Sequence, residues 1–176
     1  MGVGNSRGTG VALVLLSGLP GSGKTTFARA LAGRIGATHV ESDAIRRSIA
    51  RRPDYSAGES ALVFARVEGD ARRALAGGRP AIIDATNLTN RDRRRFVRLA
   101  NEMGVRLIAV RLTAPEDVVR ERLSRPREGY SEAGAEVLER MRDRPQPFPF
   151  ASIVVDTRWG PDAAIALAVR LMNPDC

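Results

Sequence analysis

A glycine-rich stretch that directly follows an apolar run constrains this chain more than any other feature. Residues 11–16 are apolar, and the pattern G-x-x-x-x-G-K-[ST] then follows without a gap at Gly18, Gly21, Gly23, Lys24 and Thr25. Glycines allow successive backbone N–H groups to converge on phosphate oxygens. The stretch therefore predicts a phosphate-binding loop between a buried strand and a helix whose positive dipole end faces the same anion.

Residue chemistry predicts separate tasks within this loop. Lys24 is the single lysine among 28 lysine and arginine residues, at a place where a planar guanidinium would be a poor replacement for an ammonium. We expect Lys24 to reach the β- and γ-phosphates of a nucleotide and the Thr25 hydroxyl to help hold Mg²⁺. A dinucleotide-binding loop is excluded because no third glycine follows at the required spacing. The predicted nucleotide-binding set is Gly18, Pro20, Gly21, Ser22, Gly23, Lys24, Thr25 and Thr26.

Length and charge limit the remaining possibilities. The 176 residues predict one domain over 11–176, preceded by a disordered leader over 1–10. The formal net charge of +8 favours phosphate-bearing partners, nucleotide or nucleic acid. Cys176 is the single cysteine and no apolar run is long enough to cross a membrane, so we expect a cytoplasmic protein without disulfides or a membrane partner.

Strand and helix patterns alternate along the chain. Short apolar runs separated by helical periodicities predict an α/β fold in which helices cover both faces of a five-stranded parallel sheet. Ligands bind beyond the carboxyl ends of such strands. We therefore expect four polar residues that end or follow strands to gather on one rim, namely Ser17, Asp43, Asp84 and Asp156.

Asp43 and Arg46 follow the second predicted strand, one helical turn apart. A carboxylate opposite Lys24 could accept the proton of an attacking hydroxyl, with Arg46 beside it on the acceptor side. Asp43 also fits a helix N-cap, as does Ser42, and the two roles of Asp43 are compatible.

Asp84 ends the third predicted strand, where a Walker-B carboxylate holds Mg²⁺ through water. It could equally orient Arg46 and anchor the loop that follows. Thr86 and Asn87 in that loop are candidate acceptor-binding residues, although Asn87 could also be a turn former.

Arginines are concentrated in two further stretches. Residues 120–142 resemble a basic lid in which Arg122 and Arg125 close over the transferring phosphate, while Arg120 and Arg127 are assigned to the surface. One face of the helix after residue 90 carries four arginines that could follow a phosphate backbone or simply be solvated: Arg91, Arg94, Arg95 and Arg98.

For His39 and Trp159, a purely structural role is an alternative to a functional one. His39 lies inside a strand and is expected to be packed or hydrogen-bonded. Trp159, with Arg158, could flank an adenine or could be a tryptophan at the edge of the core.

Taken in their order along the chain, the motifs over residues 11–172 resemble those of P-loop kinases related to polynucleotide 5′-kinase. The wider group that the chain resembles also includes zeta-toxin-type, small-molecule and tRNA-associated kinases. The resemblance implies a sheet of order 2-3-1-4-5 and transfer of the γ-phosphate of ATP to a hydroxyl. It also implies that Lys24 and Thr25 bind phosphate and Mg²⁺. Asp43 would be the general base, Arg46 its acceptor-side partner and Arg125 the lid arginine.

The leading hypothesis is an ATP- and Mg²⁺-dependent kinase whose acceptor is a polynucleotide 5′-hydroxyl, with a single-stranded 5′ end as partner. Two alternatives stay open. One is a kinase for a small molecule such as a sugar, nucleoside or antibiotic, and the other is a regulatory ATPase that acts through a partner protein.

Overall fold

The computed structural model describes residues 10–50, 52–124, 138–139 and 141–173. Its centre is a parallel sheet in the spatial order β2-β3-β1-β4-β5, which confirms the predicted fold class and strand order. The strands are β1 Ala12–Ser17, β2 Thr38–Glu41, β3 Ala81–Asp84, β4 Arg106–Thr113 and β5 Ile153–Asp156. Some of the predictions concern residues outside the described ranges. These are the leader up to residue 9, most of the predicted lid, and the two arginines Arg125 and Arg127 within that lid.

Helices cover both faces of the sheet. They are α1 Lys24–Ile35, α2 Ser42–Ile49, α3 Ala57–Ala76, α4 Asn90–Glu102, α5 Glu116–Ser124 and α6 Asp162–Met172. Side chains of β1 alternate between two apolar cores, because successive residues of a strand point to opposite faces. Val14 and Leu16 pack in the core formed with α1 and α6, whereas Leu13 and Leu15 pack in the core formed with α3 and α4.

Local chemistry explains where α1 and α4 end or begin. Helix α1 continues through Gly33 and ends before Gly36, whose φ of 65° is the left-handed conformation that suits a glycine C-cap. The second begins with a reciprocal capping box, in which Thr89 and Asp92 satisfy each other's backbone N–H groups. These two caps fix the helices that flank β1.

Two expectations on local structure were wrong. Helix α2 begins at Ser42 directly after β2, so Glu41 is the N-cap residue and Asp43 lies inside the first turn. Trp159 is 82% exposed rather than at the core edge, because it lies on a short 3₁₀ turn, Thr157–Trp159, beyond the end of β5.

The two ends of the described chain meet. The Gly10 N–H donates a 2.6 Å hydrogen bond to Asn173 Oδ1, beside the last turn of α6. Among the described helices, none has the length and apolar character needed to cross a bilayer.

Candidate nucleotide and acceptor site

The carboxyl ends of the strands form one rim, as predicted. Glu41 and Asp84 are register partners at the ends of β2 and β3, and Thr113 and Asp156 are partners at the ends of β4 and β5. The strand between these pairs, β1, runs into the glycine-rich loop at Gly18. The phosphate-binding loop thus begins at the middle of the rim.

The loop has the backbone conformation that its glycines allow. Gly21 and Gly23 have φ values of 78° and 87°, in the left-handed region. A Cβ on Gly18 would lie 2.5 Å from the backbone oxygen of Leu112, so no side chain fits there. The Gly18 N–H donates to the Thr86 carbonyl at 3.1 Å, which fastens the start of the loop to the residues after β3.

Lys24 and Ser22 provide polar atoms inside the loop. Lys24 Nζ donates to the carbonyls of Gly18 and Leu19, each at 3.0 Å, so the ammonium lies close to the loop's own backbone. The buried Ser22 hydroxyl has no hydrogen-bond partner in the described part of the chain. An orphaned hydroxyl two residues before an ammonium, at the start of α1, fits a phosphate group, which offers acceptors to the hydroxyl, the ammonium and the N–H groups of the helix start.

Asp84 lies at the end of β3 and is 3% exposed. Its Oδ2 is 3.0 Å from His39 Nε2, so the expectation of a hydrogen-bonded histidine is confirmed. Ligand atoms of His39, Glu41 and Asp84 all lie within 4.8 Å of one another. Burial raises the pKa of Glu41, and the nearby Asp84 carboxylate raises it further. Two close carboxylates supply the oxygen ligands that Mg²⁺ prefers, so the residues fit this ion.

Arg46 forms an ion pair with a residue that the sequence analysis did not name. The side chain is 7% exposed and forms an ion pair with Glu59, in the first turn of α3. Its guanidinium also lies 4.5 Å from the ring centroid of Tyr55, in the loop before α3. Asp84 pairs with His39, so the alternative in which Asp84 orients Arg46 is not what the structure contains. The sequence analysis missed Glu59 because this residue lies on α3, whereas its partner Arg46 lies on α2.

Asn87 is buried and has a φ of 42°. Its side-chain amide donates to the Leu16 carbonyl at 2.8 Å, and its own carbonyl accepts from the Ser17 hydroxyl at 2.9 Å. These are the contacts of a turn residue that joins the loop after β3 to the end of β1. Contact of Thr86 or Asn87 with an acceptor stays a prediction.

Arg93 is a site-supporting residue that the sequence analysis missed. It is 2% exposed, and burial is the main cause that lowers its pKa. Its guanidinium lies 3.9 Å from the ring centroid of Phe148. It donates to four backbone carbonyls, of Asn87, Leu88, Gln146 and Pro147, and to two side-chain oxygens, of Asn90 and Ser17. The guanidinium thereby joins β1, the loop after β3 and residues 146–148.

A sequence signal for this role exists. Arg93 precedes the buried Phe96 by three positions and Ala100 by seven, so it shares the apolar face of α4. Of the four arginines predicted on one face, Arg91, Arg94 and Arg98 are exposed, whereas Arg95 lies over the Phe64 ring at 4.7 Å.

Arg122 contacts the phosphate loop rather than open solvent. Its guanidinium donates to the Gly21 carbonyl at 3.3 Å and to the Thr157 hydroxyl at 2.8 Å. Thr157 itself packs where a Cβ on Gly23 would lie, at 3.3 Å. Arg120, two residues earlier, is instead paired with Glu116 and Glu139 on the surface. The described geometry makes Arg122 a brace between the loop and the end of β5.

Known proteins with the same fold include kinases. A sugar kinase from Janibacter sp. HTCC2649 has 22% identity and a TM-score of 0.70, over 94% of this chain and 97% of that one. The Mycobacterium tuberculosis APS kinase CysC, solved with AMPPNP and APS, has 14% identity and a TM-score of 0.71, over 93% and 98%. At these identities the likeness establishes the fold.

Sequence comparison identifies the family. An uncharacterized protein of M. tuberculosis, Rv2004c, is 30% identical over 146 residues, which are 76% of this chain. The chain spans 29% of the length of that relative. The family model described as an AAA domain, AAA_33, matches residues 13–148, from β1 to the segment that Arg93 holds. Because this match covers most of the chain, the protein belongs to the AAA_33 family of AAA domains.

Proposed function

We propose that this protein is an ATP- and Mg²⁺-dependent phosphotransferase that moves the γ-phosphate to a hydroxyl acceptor. The observation that carries the proposal is the loop at the end of the central strand. There Lys24 Nζ lies against the Gly18 carbonyl, and the buried Ser22 hydroxyl, between the left-handed Gly21 and Gly23 before α1, has no partner among the described residues. The CysC structure with AMPPNP supports nucleotide binding by this fold.

The proposed reaction depends on position and charge. The acceptor oxygen attacks the γ-phosphorus, its proton passes to the Asp43 carboxylate, and the bond to the β–γ bridging oxygen breaks to leave ADP. Lys24 would neutralise charge on the β- and γ-phosphates. Thr25 and Asp84 would hold Mg²⁺, which supplies further charge neutralisation when bound. We assign Arg46 to the acceptor side and Arg125 to the transferred phosphate, while Arg122 braces the phosphate loop through Gly21 and Thr157.

A polynucleotide 5′-hydroxyl is the leading acceptor. The support is electrostatic: the formal net charge is +8, and three exposed arginines of α4 lie at a spacing that keeps them on one side of the helix. These are Arg91, Arg94 and Arg98. A small-molecule hydroxyl is the second candidate, and the fold shared with a sugar kinase and an APS kinase favours it.

Transfer of labelled γ-phosphate tests the proposal. The protein is incubated with ATP, Mg²⁺ and either 5′-hydroxyl oligonucleotides or a panel of sugars and nucleosides. We expect a labelled acceptor that disappears with Lys24→Ala. Activity that persists unchanged in this variant would contradict the proposal. Steep loss of oligonucleotide labelling between low and moderate salt would support the polynucleotide acceptor over a neutral small molecule.

Substitution of Asp43 separates chemistry from nucleotide binding. Asp43→Asn should reduce transfer by about 10²-fold or more, the scale of general-base catalysis, with the affinity for ATP unchanged. The matched control is Asp117→Asn, which also removes an acidic side chain from the first turn of a helix, α5. If Asp43→Asn lowers ATP affinity as much as it lowers transfer, Asp43 is not the base.

A further inference from the structure

Three side chains that can ligate a metal ion meet where β2 and β3 end. His39 and Glu41 are two residues apart in β2, so their side chains point to the same face of the sheet. Asp84 is the register partner of Glu41 and points to that face as well. The face is the one that α1 covers, because Ile82, two residues before Asp84, packs in the core that contains Phe27. Strand register thus brings one imidazole and two carboxylates together.

The separations in this cluster suit the ligands of a single small cation. His39 Nε2 lies 3.0 Å from Asp84 Oδ2, and the ligand atoms of all three residues lie within 4.8 Å of one another. Around an octahedral ion with bonds of about 2.1 Å, neighbouring ligand atoms are about 3.0 Å apart. His39 and Asp84 already have that spacing, and rotation of the long Glu41 side chain brings its carboxylate to the same centre.

The Glu41 carboxylate is held beside a second carboxylate without a donor of its own. Burial and the Asp84 charge raise the pKa of Glu41, whereas His39 and Arg29 act in the opposite direction. No residue in the described ranges donates a hydrogen bond to this carboxylate or forms an ion pair with it. A cation bound between the two carboxylates would satisfy oxygens of both and offset their repulsion.

The imidazole determines which cations this ligand set prefers. Mg²⁺ takes oxygen ligands and gains little from a nitrogen. First-row transition-metal ions also bind carboxylates, and they gain affinity from an imidazole in the order that places Zn²⁺ above Mn²⁺. One histidine with two carboxylates is therefore a better site for a transition-metal ion than for Mg²⁺.

We propose that His39, Glu41 and Asp84 bind a divalent transition-metal ion of the Mn²⁺ to Zn²⁺ series, with the His39 imidazole as a direct ligand. The inference rests on the proposed function for the assignment of Asp84 to the catalytic cation, and it names the class of ion that this position prefers. Mg²⁺ binds at the same position more weakly, through the carboxylates alone.

Manganese binding to the nucleotide-free protein tests this ligand set. The untagged full chain is titrated with Mn²⁺, free Mn²⁺ is measured by its EPR signal, and pulsed EPR detects nitrogen coupled to the bound ion. His39 is the single histidine of the chain, so an imidazole coupling identifies it without further assignment. We expect this coupling in the natural protein. Zn²⁺ should displace Mn²⁺ readily, and Mg²⁺ only at a concentration about tenfold or more higher.

His39→Gln separates a metal ligand from a hydrogen-bond partner. The glutamine amide can still donate to Asp84, but it offers no imidazole nitrogen to a metal. The variant should lose the nitrogen coupling, about tenfold or more of its Mn²⁺ affinity and its preference for Mn²⁺ over Mg²⁺. The matched control is Asp162→Asn, which removes an exposed carboxylate at the start of α6 and should leave Mn²⁺ binding unchanged.

Two results would overturn the inference. One is Mn²⁺ bound to the natural protein without imidazole coupling, which needs no variant. The other is equal Mn²⁺ affinity in the natural protein and His39→Gln, which would leave His39 as a hydrogen-bond partner of Asp84 only.

Phosphate transfer with Mg²⁺ in the same preparations keeps the two proposals apart. Transfer that depends on Lys24, in a protein whose bound Mn²⁺ shows no imidazole coupling, would overturn the transition-metal site and leave the phosphotransferase standing. Nucleotide turnover that is indifferent to Lys24→Ala would instead overturn the proposed function itself.

Discussion

Arg93 Nε donates a 2.8 Å hydrogen bond to the backbone carbonyl of Asn87, the residue whose amide holds the end of β1. The same guanidinium reaches the carbonyls of Gln146 and Pro147, more than 50 residues further along the chain. The buried charge therefore carries no anionic partner in these contacts and is satisfied by carbonyl and hydroxyl oxygens. Arg93 thereby stabilises the end of β1 and the loop after β3, and the start of the phosphate loop is hydrogen-bonded to that loop.

Arg93→Leu should destabilise the fold by about 3 kcal/mol or more, because several buried carbonyls lose their donor at once. Leucine keeps much of the apolar volume, so the loss reports the polar network. The control is Arg94→Leu on the exposed side of α4, which should change stability by less than about 0.5 kcal/mol. Urea unfolding monitored by circular dichroism measures both. Equal midpoints for the two variants would contradict the assigned role of Arg93.

Gly23→Ala should impair nucleotide binding, whereas Gly33→Ala should stabilise the protein. At Gly23 the φ of 87° and the Thr157 side chain, 3.3 Å from an added Cβ, both oppose a methyl group. Gly33 lies in α1, with open space around an added Cβ, so alanine there should add about 0.5–1 kcal/mol. Thermal unfolding and titration with an ATP analogue measure the two effects. A Gly23→Ala variant with undiminished nucleotide affinity would show that the loop tolerates another backbone conformation.

Arg122→Ala should weaken nucleotide binding even without an acceptor. The substitution removes the donor to the Gly21 carbonyl and to Thr157, so the loop loses a brace. Because two or three hydrogen bonds are lost, we expect a rise in the dissociation constant of about tenfold. Arg120→Ala, on the same helix but paired with Glu116, should leave nucleotide affinity unchanged. A lower kcat with unchanged affinity for Arg122→Ala would favour direct contact with the transferring phosphate.

The contact of α5 with Glu139 and Arg142 should depend on pH. Hydrogen bonds from Arg120 and Arg142 hold the pKa of Glu116 below its ordinary value of 4.5. A lowered pKa in the folded state stabilises the protein above the ordinary value, and this contribution is lost as the pH falls through the folded-state pKa. Glu116→Gln should therefore lower the urea midpoint slightly at pH 7 and low salt.

The difference should shrink in acid, as Glu116 is protonated, and in high salt, because these groups are exposed and screened. Midpoints of the natural protein and Glu116→Gln are compared at pH 7 and pH 3. An equal difference at the two pH values would assign the effect to packing rather than to charge.

The fold and the phosphate loop could be predicted from the sequence because both rest on local signals. The loop has a fixed spacing of glycines around Lys24, and each strand is a short apolar run between helical periodicities. The pairing of Arg46 with Glu59 could not be predicted in this way. It depends on how α2 and α3 pack, and acidic residues elsewhere in the sequence offered Arg46 equally good partners.

Arg93 and Trp159 were misjudged for opposite reasons. In a sequence rich in arginine, Arg93 was overlooked beside its exposed neighbours, although its place on the apolar face of α4 indicated burial. The core-edge alternative for Trp159 followed residue type, since tryptophan is highly buried on average, but the 3₁₀ turn after β5 carries the side chain into solvent. Residue type alone misleads where tertiary packing decides burial.

The hydrogen bond between Gly10 and Asn173 has a consequence for protein architecture. A fold whose first and last described residues are in contact can be inserted into a surface loop of a host protein without distorting the fold or the loop. It can also be permuted, with Gly10 and Asn173 joined by a short linker and new ends opened at an exposed turn such as Gly77–Gly78. A domain with this arrangement is portable between larger chains.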